Sequence, residues 1–437
     1  MNENVKTVIL TVLVAASLVQ SYLLAYSSPK FDAIIPNDYV ESKLQGTQAE
    51  LSQLLFPSDI VLHFGEDQHT VLYPNMTFYR MILDVVKQRA FDGIREVGAI
   101  PELAEQSPRN TLGLEIRFPS DMPLSLLEQF MHLKGDGLED SKPIERIWIF
   151  TRADREEVRV FFIGSGNRTV YEATKADLTV KDVERFVGFG KARGKYQLIG
   201  GSHYLPMEPL QMIQYEMHYT SFTAEQLQRS LFPDPATTRF LRERNGSEIY
   251  TDGKRGLQLS NDQHWLSYSD PAAPVEGTYD ELGTSLSAVQ FINRHGGWNG
   301  SYLLSSIQQE SGVSQEQTVV FRQYIGNYPG SFPIVSPGEQ LPYGTIRLTL
   351  QNGVVTAYER SMIQLEETSE NRELVQLRGG ESLVKALQGY SKFASVKQLI
   401  PAYRLVLDEE YEKAILKPVW AVLLSDGTVE ALPGGAM

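Results

Sequence analysis

The chain has 437 residues, 42% hydrophobic and 22% charged, a globular composition with room for about three domains. Its net charge is −14; so acidic a surface disfavours nucleic-acid binding, and no window concentrates Lys and Arg enough to reverse that. The absence of cysteine excludes disulfides, thiolate metal sites, cysteine nucleophiles and a lipobox-type anchor, and fits an extracytoplasmic location.

Residues 7–29, between Lys6 and Lys30, carry no charged side chain. Their centre, Val8 to Leu24, is long enough to cross a bilayer, because about 20 helical residues span the hydrocarbon core. Ala25-Tyr26-Ser27 is a tolerable cleavage site, but the apolar run exceeds the ~7–15 residues of a signal-peptide core, so an uncleaved anchor over 7–28 is expected. Lys6 on one flank is matched by Lys30 and Lys43 on the other. A cytoplasmic N-terminus therefore rests on the anchor layout and the missing cysteines. Thr7, Thr11 and Ala15 repeat at the spacing of one helical turn, as do Ser17, Ser21 and Ala25. Such stripes let two membrane helices approach closely, and Gln20 can hydrogen-bond across the contact. Thr11, Ala15, Ser17, Gln20 and Ser21 are accordingly the candidate partner-binding residues.

Beyond the anchor the pattern is mixed helix and antiparallel strand. Asp59 to Phe64 and His69 to Tyr73 read as a hairpin around Gly65-Glu66-Asp67-Gln68. His63, Glu66, Asp67 and His69 form the densest group of potential metal ligands, but a metal needs three or four of them to converge within ~2.0–2.2 Å. The expected state is a solvated polar turn. Asn75 is expected to cap a helix carrying Phe78, Ile82, Val85 and Val86, with Gly93 stopping it. Strands follow at 112–118, 144–151 and 158–163, with Gly164-Ser165-Gly166 as a turn. Thr179 and Asp182 resemble a capping box heading a helix that ends at Gly188. The Gly188 to Lys195 segment has the look of a phosphate loop but follows a helix, so it reads as a C-cap and basic loop.

A second region begins near Gly200-Gly201, with a Tyr-rich strand over 210–219, a short helix, a hairpin over 248–259 and a joint at Asp270 to Pro274. The last region reads as two copies of a helix followed by a β-meander. Ser285-Leu286 and Ser382-Leu383 are taken to open the helices, and the pairs Tyr302/Tyr403 and Phe321/Trp420 recur at similar offsets. Asn352-Gly353 and Ser425-Asp426-Gly427 are hairpin turns. The tryptophans Trp298 and Trp420 fall at strand positions that favour core. Alternating helices and antiparallel meanders give an α+β fold class.

Ser382-Leu383-Val384-Lys385 matches the Ser-x-x-Lys pattern of penicillin-recognising acyltransferases. Their Ser-Asp-Asn and Lys-Thr-Gly elements are absent, and Ser382 also suits a helix start. No histidine-kinase core, nucleotide signature, metal set or cofactor motif is evident, and no catalytic residue is assigned.

Leu55-Phe56-Pro57-Ser58-Asp59-Ile60, Tyr250-Thr251-Asp252-Gly253-Lys254-Arg255-Gly256-Leu257, and Pro418-Val419-Trp420 with Ser425-Asp426-Gly427 resemble the YycH family, as does the short tail leading directly into one anchor. The likeness runs over nearly the whole length, and the C-terminal portion is also similar to YycI. The resemblance implies a single-pass membrane protein with its bulk extracytoplasmic, not an enzyme, that regulates a WalK-like (YycG) cell-wall sensor histidine kinase together with a YycI-like partner. It implies a cytoplasmic tail at 1–6, the anchor at 7–28, and three α+β domains at 31–199, 200–280 and 281–437. Two alternatives stand beside it: an extracytoplasmic ligand-binding module signalling to a membrane partner, and a wall-active serine acyltransferase using Ser382 and Lys385.

Overall fold

The first hairpin shows how the sequence pattern becomes a sheet with two buried faces. In β1 (Asp59–Phe64), Ile60 and Leu62 enter one hydrophobic core while Val61 enters another, as the period-2 alternation of strand side chains requires. The turn into β2 (His69–Leu72) uses positive φ at Gly65, Glu66 and Asp67.

This computed structural model describes residues 4–6, 13–20, 46–98, 108–135, 138, 141–152, 156–260, 264–271, 280–309, 316–326, 332–336 and 343–434. The chain divides into two units, residues 1–40 and 41–437. In the first, residues 4–6 and 13–20 are helical and exposed. Among the described residues no helix is long and apolar enough to cross a membrane; residues 7–12 and 21–28 of the expected anchor lie outside them.

The second unit is α+β and is built on two large sheets. The first sheet adds β3 (Ala90–Val97), β4 (Leu112–Met122), β5 (His132–Gly135), β6 (Ile144–Arg152) and β7 (Glu157–Ile163). It is completed by β8 (Val170–Ala176), β9 (Tyr196–Ile199) and β10 (His203–Pro206). Its order is β10-β9-β2-β1-β4-β6-β7-β8-β3-β5, antiparallel except for β3 beside β5. Helices α1 (Thr77–Lys87), α2 (Leu124–Leu127) and α3 (Val180–Gly188) bury their apolar sides in the same core. Thr179 and Asp182 form the expected capping box on α3.

The second sheet starts with β11 (Leu210–Ser221). After α4 (Ala224–Leu231) come β12 (Arg239–Arg242), β13 (Glu248–Thr251), β14 (Gly256–Ser260) and β15 (Trp265–Ser269). Helix α5 (Glu281–Arg294) leads into β16 (Ser301–Gln309), β17 (Glu316–Ile325), β18 (Phe332–Val335), β19 (Thr345–Gln351), β20 (Val354–Ser361) and β21 (Ile363–Leu377). Helix α6 (Gly380–Gln388) precedes β22 (Val396–Asp408), β23 (Lys413–Leu424) and β24 (Val429–Ala431). The order is β12-β13-β14-β15-β20-β19-β17-β18-β22-β23-β11-β21, with β16 on β17 and β24 on β23. Asn352 and Gly353, both at positive φ, turn β19 into β20 as expected. The short β18 joins the two halves, pairing with β17 on one side and in parallel with β22 on the other.

Four expected boundaries are corrected. Met76, not Asn75, is the N-cap of α1, which ends at Lys87. Gly93 lies inside β3 at positive φ, where a Cβ would stand 2.1 Å from the Thr174 hydroxyl. Helix α5 opens at Asp280, whose carboxylate accepts from the Gly283 N–H, and Ser285 sits one turn in, donating to the Glu281 carbonyl. Helix α6 opens at Gly379-Gly380 instead of Ser382 because the chain is pressed there against the link between the sheets. A Cβ on Gly379 would lie 2.1 Å from the Glu208 carbonyl oxygen, and Gly380 has φ 56°.

Residues 46–50 enter the second unit under tight constraint. Thr47 bridges to Trp298, and the Asn293 side chain bonds the Ala49 N–H (3.0 Å), the Ala49 carbonyl (2.9 Å) and the Trp298 indole N–H (2.8 Å). Leu51 and Leu54, just after, join the core that also holds Trp298 and Leu304.

Candidate functional site

The strongest concentration of charge chemistry is a buried polar seam on the Val61–His63 face of the first sheet. Asp59 heads β1 and Arg117 lies opposite it on β4, in register. The guanidinium meets the carboxylate bidentately, Nε to Oδ1 and Nη2 to Oδ2, both 2.7 Å. Such forked pairs are the strong ones. Burial works against the Arg117 charge, but Asp59 outweighs it and raises the guanidinium's pKa above its ordinary value. Gln398 of β22 reaches in from the second sheet, its amide donating to Asp59 Oδ2 (2.5 Å) and Ser58 Oγ (2.8 Å). Ser58 in turn donates to the Arg117 carbonyl at 3.0 Å. Beside them Lys397 Nζ donates to Asp121 Oδ1 at 2.9 Å and to Ser165 Oγ at 3.2 Å. The seam thus ties β22 to the first sheet by charge-assisted bonds.

Further along the same face, His63 and His69 stand opposite one another across the hairpin, and both are buried. This corrects the expectation of a solvated turn: Asp67 is exposed, but the imidazoles point into the protein. Their Nδ1 atoms are 2.9 Å apart, His69 Nε2 is 3.0 Å from Asp67 Oδ1, and His63 Nε2 is 3.3 Å from Glu115 Oε1. Burial, and next the neighbouring His63, lowers the pKa of His69. Burial also opposes the Glu115 charge. His63, Arg146 and Arg109 overcome it and hold the carboxyl well below the usual carboxylate range. Arg109 Nε (3.2 Å) and the Tyr204 hydroxyl (3.0 Å) donate to the same Glu115 oxygen.

The seam's buried carboxylates, Asp59 and Glu115, each have a cationic partner, so its chemistry is to lock strands together. Ser202 lies 3.4 Å from His203 Nε2, but His203 Nδ1 is buried with no hydrogen-bond partner, so no carboxylate orients that ring for catalysis. Among the described residues no three His, Asp or Glu side chains gather closely enough to hold a metal ion. Ser382 donates to the Gly379 carbonyl at 2.9 Å, and exposed Lys385 lies 4.0 Å from Glu381. Both serve the first turns of α6. Ala15, Ser17 and Gln20 lie on the exposed helical stretch 13–20, while Thr11 and Ser21 lie outside the described residues. The sequence reading missed Asp59, Arg117, Glu115 and Gln398. The one local signal was the cross-strand pairing of two histidines, which puts two titratable rings on one face of a sheet.

Two family models match the chain: the YycH protein N-terminal domain over residues 3–187 and the YycH protein C-terminal domain over residues 201–432. A curated relative, the "Two-component system WalR/WalK regulatory protein YycH" of Bacillus subtilis (strain 168), is 22% identical over 449 aligned positions, covering 96% of this chain and 94% of its own. The crystal structure of YycH from Bacillus subtilis superposes with a TM-score of 0.70 at 17% identity, covering 89% of this chain and 98% of that one. This likeness extends to the fold.

Proposed function

This chain belongs to the YycH family, and on that premise we propose that it regulates a WalR/WalK-type two-component system by contact with its partners and not by catalysis. The observation that carries this reading is the likeness, along nearly the whole chain, to a relative named as a WalR/WalK regulatory protein. In this reading residues 1–6 are a cytoplasmic tail and 7–28 a single-pass anchor. The rest lies outside the membrane in three parts, 31–199, 200–280 and 281–437. The partners are a WalK-like sensor histidine kinase and a YycI-like membrane protein.

The physics of such regulation is modest in scale. A two-state kinase shifts its output by tenfold for each ~1.4 kcal/mol of bias between its states, and a helix that packs better against one arrangement supplies it without chemistry. The stripe of Thr11, Ala15, Ser17, Gln20 and Ser21 is the proposed contact.

The test is to replace Thr11, Ala15, Ser17 and Ser21 with leucine, which preserves hydrophobicity but fills the stripes. With expression and membrane insertion normal, kinase output in cells is expected to change. Unchanged output contradicts the transmembrane contact.

A further inference from the structure

A cavity of about 400 Å³ opens on the second sheet, lined by Tyr219, Thr220, Ser221, His264, Glu409 and Glu412. The first three end β11, His264 stands just before β15, and the two glutamates flank the turn from β22 to β23. That turn is held in place. The Glu412 carbonyl accepts from the Tyr219 N–H at 3.2 Å and from His218 Nδ1 at 3.3 Å, with Glu412 at φ 51°.

We propose that this cavity is a receptor for a primary ammonium group on an aliphatic stem, the chemistry of a lysine side chain presented by a peptide. Four features point there. Among the described residues the Glu409 and Glu412 carboxylates make no ion pair, and the adjacent cation, Lys413, is committed to Glu216 and Glu370. His264 is only 8% exposed, yet its ring makes no hydrogen bond among the described residues. The Tyr219 and Tyr343 rings stand edge-on to it at centroid separations of 5.8 and 6.4 Å. An imidazole nitrogen and two carboxylates can accept from N–H donors, and an aromatic ring such as that of Tyr219 attracts a cation through its quadrupole. Burial, with Glu409, Glu412 and Asp408 behind it, pushes the Tyr219 hydroxyl up, a sign of the negative field at the wall. Among the described residues no three His, Asp or Glu side chains gather closely enough to hold a metal ion.

This assignment does not rest on the kinase reading. It is tested by calorimetric titration of the full chain with N-acetyl-lysine amide, N-acetyl-norleucine amide and calcium chloride. The lysine derivative is expected to bind saturably, the norleucine derivative not at all, and calcium not to compete. In the Glu409→Gln/Glu412→Gln variant the affinity is expected to fall about tenfold or more, the scale of lost charge-assisted bonds. His264→Phe keeps the ring, removes the acceptor and weakens binding several-fold, and it decides the matter if the double variant does not fold. No saturable binding, equal binding of norleucine, displacement by calcium, or affinity unaltered in these variants overturns the proposal.

Discussion

The seam at Asp59–His63–Glu115 and the cavity at Tyr219–His264–Glu409 use the same residue types, histidine, glutamate and tyrosine, under opposite terms. In the seam both buried carboxylates meet cations: Arg117 for Asp59, and Arg109 for Glu115. In the cavity the carboxylates face open space and the imidazole has no hydrogen-bond partner among the described residues. Fully satisfied buried charge fixes structure, because removing one member strands the other. Charge left unsatisfied at the surface destabilises little and is available to a ligand. The difference separates what holds this protein together from what it can offer to a partner.

The sharpest break in that contrast is Arg117→Ala. It leaves the Asp59 carboxylate buried without its fork, and equilibrium denaturant unfolding is expected to show a loss of about 3–5 kcal/mol. Acid comes next. His295, whose Nδ1 donates to the Ser230 carbonyl at 2.7 Å, is pushed down to about 4 from an ordinary value of 6.5, chiefly by burial. The unfolded chain therefore takes up that proton first as pH falls, and stability declines between pH 6.5 and about 4, by about 3 kcal/mol for this one group. His69, also lowered, acts in the same direction. Glu115, with its folded value depressed, adds a loss that begins below its ordinary 4.5. His295→Asn is expected to flatten the slope between pH 6.5 and 4.

The same substitution made in both clusters sharpens the comparison. Glu115→Gln removes a charge contacted by His63, Arg109 and Tyr204, with an expected loss of about 2 kcal/mol in denaturant unfolding. Glu409→Gln/Glu412→Gln, on the exposed turn, is expected to stay within about 0.5 kcal/mol of the parent. Equal losses at the two places erase the distinction between a structural and a receptive cluster.

Much of the fold was readable because its signals are local. The Asn352-Gly353 turn, the Thr179/Asp182 capping box and the hairpin of β1 with β2 each act within a few residues and came out as expected. Errors arose where distant contacts decide. Gly379 and Gly380 start α6 because the backbone at Glu208 lies against them, a closeness no local pattern encodes. The histidines were misread as solvated because what covers them, Glu115 and Tyr204, comes from β4 and β10. The cavity joins β11 to the Glu409–Glu412 turn, nearly two hundred residues away in sequence, and was invisible for the same reason.

The most direct test of the regulatory account is co-capture from membranes. The full-length chain, and residues 1–32 fused to an inert secreted domain, are each used as bait. The account predicts that a WalK-like sensor kinase is recovered with both, placing recognition in the anchor stripe. Recovery with the full chain alone moves recognition to the second unit, and a kinase recovered with neither contradicts the account.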